Sequence, residues 1–122
     1  MLAIRIRAAR SGDWARLETL IAGICRYHGD TIGLKRPQFD ALVCADNAPM
    51  IVLVAETAEG IFAGYVAGYA MYEFQSGQTN FNIQNLYVAE EFRRQRVGET
   101  LLVAIVREAR QRFPVQRIGI GS

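Results

Sequence analysis

A chain of 122 residues, 51% hydrophobic and 21% charged, has room for one soluble globular domain, residues 1–122, around a single modest core. Its net charge of +2 is too small to argue for nucleic acid, and its arginines are scattered over elements that face different ways, so no nucleic-acid partner is expected. No apolar run approaches the roughly 20 residues that cross a bilayer, so the expectation is a cytoplasmic protein with no membrane partner.

Cys25 and Cys44 lie far apart and His28 is the only histidine, which indicates neither a disulfide framework nor a zinc set, and no metal is expected. Both thiols read as ordinary core or helix-face residues. Lys35 is the only lysine; the other basic residues are arginines, which suit bidentate phosphate contacts.

In chain order, Leu2 to Ala8 alternates, with Ile4 and Ile6 on one side and Arg5 and Arg7 on the other, the period of a half-buried strand. Ser11 or Asp13 is expected to cap the next helix, where Trp14, Leu17, Leu20, Ile21, Ile24 and Tyr27 recur at three- and four-residue spacing and Gly29 supplies the stop. A shorter helix should begin at Pro37, where a missing N–H costs nothing, and bury Phe39, Leu42 and Val43. Three strand-like runs follow, MIVLVAET, IFAGYVAGYAMYEF and NFNIQNLYVA, joined by turn residues around Glu59-Gly60 and Gln75-Ser76-Gly77-Gln78; they read as an antiparallel meander. After Glu90 the period becomes helical through Val97, Leu101, Leu102, Ile105, Val106 and Ala109, ending near Pro114, and VQRIGIG has strand character. The order β-α-α-β-β-β-α-β is a mixed α+β layout whose last helix crosses to a parallel strand.

The stretch EEFRRQRVGETLL, from Glu90, sets Arg93, Arg94, Arg96 and Gly98 where that last helix starts. A helix N-terminus offers unpaired N–H groups and the positive end of the helix dipole. Glycine there lets phosphate oxygens reach the backbone. On these residues alone, an anion cradle and a solvated turn are both open.

The residues before the arginines carry more. NFNIQNLYVAEEFRRQRVGETLL resembles the acetyl-CoA-binding motif of the GCN5-related N-acetyltransferase (GNAT) family, in which a strand ending in an apolar-apolar-Val step leads through an aromatic-Arg turn to Arg-x-x-Gly-x-Gly/Ala and a long helix. Phe92-Arg93 and Val97-Gly98 match that pattern. IRIRAARSGDWARLETLI is similar to the family's first strand and helix, and IFAGYVAGYAMYEF to its strand with a central Gly-Tyr step, so nearly the whole chain is covered. Within the family, AGYAMYEF and LYVAEEFRR are most similar to spermidine/spermine and thialysine acetyltransferases. The resemblance implies a three-layer GNAT-like α/β fold around a mixed central sheet.

It also implies an acetyl-CoA-dependent N-acetyltransferase acting by direct attack on a primary amine of a small molecule, polyamine- or amino-acid-like. Pantetheine would lie along Leu86, Tyr87 and Val88, and the pyrophosphate would rest on Arg93, Arg94, Gln95, Arg96, Val97, Gly98 and Glu99. The alternative is a degenerate or incomplete domain that binds CoA or a protein partner without catalysis.

Four departures bear on that expectation. Arg96 stands at the first motif glycine, and Arg94 at a position that is commonly glycine; their side chains can crowd the pyrophosphate or turn outward to meet a CoA phosphate. Gln84-Asn85 stands where the polyamine enzymes carry Glu-Asp, and neither amide can take a proton. The family's further helix, with a tyrosine that protonates the leaving thiolate, and its last two strands are missing before Ser122. The strand edge so left implies a covering partner, with a homodimer expected, or a truncated product.

The catalytic candidates are therefore Gln84, Asn85 and His28. Tyr27, Asp30, Tyr72 and Glu73 are candidates for the acceptor site. Tyr72, with Tyr65, Tyr69 and Tyr87, is a candidate for cation–π contact, and Asp30 and Glu73, like His28, are candidate bases for an ammonium group with water as relay.

Overall fold

The computed structural model describes residues 3–29 and 31–121. Its elements are β1 (Ile4–Ala8), α1 (Trp14–His28), α2 (Arg36–Phe39), β2 (Met50–Thr57), β3 (Phe62–Tyr72), β4 (Thr79–Val88), α3 (Val97–Arg112) and β5 (Arg117–Ile120). Leu2 and Asp30 lie outside the described residues. The five strands form one sheet in the order β1-β2-β3-β4-β5, antiparallel except for the β4–β5 pair.

The expected three-layer α+β arrangement is what the burial pattern builds. Alternate residues of β2 face opposite ways. Ile51, Leu53 and Ala55 join Val66, Phe81 and Ile83 beneath Leu101 and Ile105 of α3, whereas Val52 and Val54 join Tyr65 and Ala67 beneath Leu17, Leu20 and Phe39 of α1 and α2. Buried on both faces, β2 reads as a continuous apolar run instead of an alternating one.

The start of α1 differs from expectation. Ser11–Asp13 forms a 3₁₀ turn, and neither side chain caps α1. The Asp13 carboxylate instead accepts the Arg10 N–H at 2.7 Å and two bonds from Arg7 at 2.8 and 2.9 Å. Arg16 and Glu56 complete this ion-pair network, with Arg16 lying 4.1 Å from the centre of the Phe62 ring. A strand-borne guanidinium took the carboxylate that the cap would have used. At the other end Gly29, at φ 75°, closes α1 as expected.

The second helix is also modified. One turn, Arg36–Phe39, runs into a wide π turn over Asp40–Cys44, closed by the Ala45 N–H donating to the Asp40 carbonyl oxygen at 2.9 Å. Phe39 is buried, Val43 is half-buried and Leu42 sits at the rim, 37% exposed.

Candidate active site

The site is organised by a bulge in β4. Asn85 pairs with Ala67 and Ile83 with Gly68, so Gln84 has no opposite number on β3. The inserted residue turns Gln84 and Asn85 together toward α1 and α2, where both line one cavity. Gly68 permits the kink: a Cβ there would stand 2.7 Å from the Asn82 carbonyl oxygen.

The bulge lies where the described pairing of β4 with β5 stops. Asn80 to Ile83 pair with Arg117 to Ile120, and the Gly121 N–H still donates to the Ile83 carbonyl oxygen at 3.2 Å. Beyond that point no described residue pairs with β4 on this side. The Ala89 N–H donates inward to the Ala63 carbonyl oxygen at 2.8 Å, so antiparallel alternation turns the backbone groups of Leu86 and Val88 outward, onto a free edge.

The start of α3 faces that edge. A Cβ at Gly98 would stand 3.6 Å from Val88 Cγ2 and 3.9 Å from Leu86 Cδ2. The helical ladder begins with the Thr100 N–H donating to the Arg96 carbonyl oxygen at 3.0 Å, so the N–H groups of Val97, Gly98 and Glu99 precede any intrahelical bond. The Arg96 side chain does not cap the helix. The loop before it winds through two left-handed residues, Arg94 at φ 66° and Arg96 at φ 63°. Such turns gather backbone N–H groups into a concavity suited to anions. The cost is roughly 1–2 kcal/mol for each side chain held left-handed. Both arginine side chains are exposed, and among the described residues neither has an ion-pair partner.

Arg93 behaves differently from its neighbours. Its Nε donates to the outward Val88 carbonyl oxygen at 2.9 Å, and its guanidinium lies 5.7 Å from the centre of the Tyr87 ring. Its side chain thus folds onto the strand edge instead of reaching over the helix start. Gln95 is exposed, its side-chain amide 3.5 Å from the Glu91 carbonyl oxygen, while Glu99 is exposed on the first turn of α3.

The acceptor candidates are not gathered in one place. Tyr27 and His28, edge to face at 5.7 Å, border a small hollow of about 280 Å³ with Leu86, Tyr87, Val88 and Arg93. Tyr27 is 80% exposed. Tyr72 and Glu73 lie at the β3–β4 turn, where the Glu73 N–H donates to the Gln78 carbonyl oxygen and its carboxylate accepts from Ser76. Tyr72 shares its strand parity with Val66 and Ala70, which pack toward α3, and it lies five residues along β3 from Ala67, about 16 Å at strand rise. The strand parity therefore separates Tyr72 from Gln84 and Asn85.

A second cavity, about 320 Å³, lies between α1, the segment 32–34, α2 and the sheet, with Gln84 and Asn85 in its floor. Tyr65 also lines it; burial, with lesser effects of Cys25 and Tyr87, pushes its phenol up to about 12. Ile32 and Leu34 belong to this wall and are absent from the sequence-based candidates. The available signal was two apolar residues in a segment with no helical or strand period. Cys25 borders the cavity too, and Cys44, half-buried on α2's π turn, has its thiol pushed up by burial. Among the described residues no cluster of His, Cys, Asp or Glu is placed to hold a metal ion.

The bulged strand, unpaired on its outer side at Leu86 to Val88 by any described strand, faces the uncapped start of α3 across Gly98. The profile of the acetyltransferase (GNAT) family matches residues 14–121, and the chain belongs to this family of acetyl-CoA-dependent N-acetyltransferases. No curated protein matches the sequence. Among solved structures, it resembles a ribosomal-protein-alanine N-acetyltransferase from Brucella melitensis biovar Abortus 2308, with a TM-score of 0.78 and 17% identity over 98% of this chain and 80% of that one. An aminoglycoside acetyltransferase from an uncultured soil metagenomic sample, in complex with sisomicin, matches with a TM-score of 0.78 and 16% identity over 98% and 77% of the two chains. An acetyltransferase of Trypanosoma brucei gives a TM-score of 0.76 at 15% identity, over 98% and 83%. At these identities the likeness is one of fold.

Proposed function

We propose that this chain transfers the acetyl group of acetyl-CoA to a primary amine of a small molecule by direct attack, without a covalent enzyme intermediate. The observation that carries the reading is the free edge at Leu86 and Val88, facing Gly98 and the unbonded N–H groups of Val97 to Glu99. The residues fit the ligand: an amide-bearing arm can add to that edge as a further strand would, and a pyrophosphate suits the helix start. Arg94 and Arg96, without partners among the described residues, are available to its phosphates.

Acetyl-CoA supplies an activated acyl group; the chain's own work is to hold it beside the amine. The outward N–H groups of Leu86 and Val88 are donors for the charge that develops on the carbonyl oxygen. Gln84 and Asn85 orient the amine through hydrogen bonds. The amine nitrogen bonds to the carbonyl carbon, the C–S bond breaks, and a proton leaves the nitrogen as the thiol forms. Gln84 and Asn85 cannot accept that proton, so water carries it, with His28, the chain's one imidazole, at the hollow that Leu86 to Val88 border. The cytoplasmic homodimer expected from the sequence belongs to the same reading; sedimentation velocity tests its assembly.

The reading is tested by incubating the purified full chain with acetyl-CoA and a panel of primary amines, following free thiol and acetylated product together. Amine-dependent release of both supports it. CoA binding with no acetylated product favours the alternative, a CoA-binding domain without catalysis.

A further inference from the structure

We propose, resting on the acetyltransferase reading above, that the acceptor is a hydrophobic monoamine, an aralkyl or alkyl primary amine, and not a polyamine or other polycation. The walls of the cavity over Gln84 and Asn85 carry the argument. They are built from Leu17, Ile21, Leu34, Phe39, Val43 and Val52, and among the described residues that line the cavity there is no Asp, Glu, Lys or Arg. A second or third ammonium group would be desolvated there without a counter-charge, which is strongly unfavourable. Glu18 on α1, Asp40 on the π turn after α2, Glu56 on β2 and Glu73 at the β3–β4 turn are acids of adjoining elements, and none of them lines the cavity.

The polar groups sit where one amine is needed. Gln84 and Asn85 occupy the floor immediately before the free edge of Leu86 to Val88, so an amine held by their carbonyl oxygens lies beside the acyl-binding edge. The apolar body of the ligand then extends toward Leu17, Phe39 and Val43. Tyr65 adds a hydroxyl and no charge, because its phenol stays protonated at neutral pH. The same surroundings serve the chemistry: an apolar site favours the neutral amine over the ammonium, delivering the nucleophile without a carboxylate base. Glu-Asp at this position suits a polycation; Gln84-Asn85 suits a ligand that has shed its charge.

The test compares kcat/KM for 2-phenylethylamine and for spermidine with the 122-residue chain, after calorimetry with CoA. The expected result is a kcat/KM at least about tenfold higher for 2-phenylethylamine. Leu42→Glu places a carboxylate at the partly exposed rim, and is expected to reduce that ratio about tenfold while leaving CoA affinity unchanged. Equal or better turnover of spermidine, or a Leu42→Glu ratio unchanged in a folded variant, overturns the proposal and leaves the acetyltransferase reading standing. If CoA binds and neither amine turns over, titration of each amine into the CoA complex decides: selective binding of 2-phenylethylamine supports the pocket, and no binding overturns it. Failure to bind CoA at all overturns the acetyltransferase reading and this proposal with it.

Discussion

Arg93 reaches back across its own turn to Val88: Nε donates to the carbonyl oxygen at 2.9 Å, on the edge where no described strand pairs with β4. The contact holds the loop before α3 against the strand and supplies a positive charge beside the cradle. Arg93→Ala loses both and is expected to weaken CoA binding about tenfold, or about 1.4 kcal/mol, with little change in melting temperature. Arg93→Lys keeps the charge without the guanidinium fork and should fall between. Calorimetric Kd values for the three proteins check the order.

Arg94 and Arg96 bear a backbone cost that glycine would not. Replacing either by Gly is expected to raise stability by up to about 1 kcal/mol, part of the relief being offset by greater freedom of the unfolded chain. The outward guanidinium groups should matter at the ligand instead: the double glycine variant should bind CoA more weakly at low salt and with a shallower salt dependence. Thermal melts and titrations at two salt concentrations read the two effects separately.

Gly64 is fixed by the strand beside it. A Cβ there would stand 2.6 Å from the Tyr87 carbonyl oxygen and 3.2 Å from Val88 Cα, both backbone atoms that cannot move aside cheaply. Gly64→Ala is expected to cost about 1–3 kcal/mol and, by displacing Tyr87 and Val88, to weaken CoA binding as well. Denaturant unfolding and CoA titration of one preparation test both parts.

The Arg7–Asp13 pair makes the fold acid-sensitive. Hydrogen bonds from Arg7, helped by the Arg10 N–H, hold the Asp13 carboxyl below the usual carboxylate range despite its burial, and Arg7 and Arg16 do the same for Glu56. A carboxyl lowered in the folded state contributes stability above its unfolded value, and that contribution is lost as pH falls through the folded one. Melting temperature should therefore be flat near neutrality and fall below about pH 4. Asp13→Asn, which leaves Arg7 short of a counter-charge, should cost about 3 kcal/mol and flatten that acid slope.

The order of elements was legible because each rests on a local period: alternation in β1, three- and four-residue spacing in α1 and α3, apolar runs in the middle strands. The start of α3 at Val97, with Arg93 to Arg96 in the loop before it, was legible because the switch to a helical period is also local. The bulge was less so, although β4 does carry its signal: Phe81, Ile83, Leu86 and Val88 all pack toward α3, so the apolar step of two lengthens once to three. Read as unbroken alternation, the same residues would have split across two faces. Asp13 was read as a local cap because periodicity says nothing about which distant side chain claims a carboxylate, and here Arg7 of β1 does. Tyr72 and Glu73 were grouped with the acceptor candidates by residue type; strand parity and the length of β3 separate them. The cavity over Gln84 and Asn85 needs α1, α2, the segment 32–34 and the bulge together, and no single stretch encodes it.

The most direct test of the central claim is calorimetric titration of the 122-residue chain with acetyl-CoA, alongside Gly98→Trp. A Cβ at Gly98 meets Val88 and Leu86 at ordinary contact distance, whereas an indole would fill the gap between α3 and the free edge. The account predicts a Kd on the order of micromolar for the native chain, lost in a variant whose circular dichroism is unchanged. No binding up to millimolar ligand, or binding that survives Gly98→Trp, would contradict it.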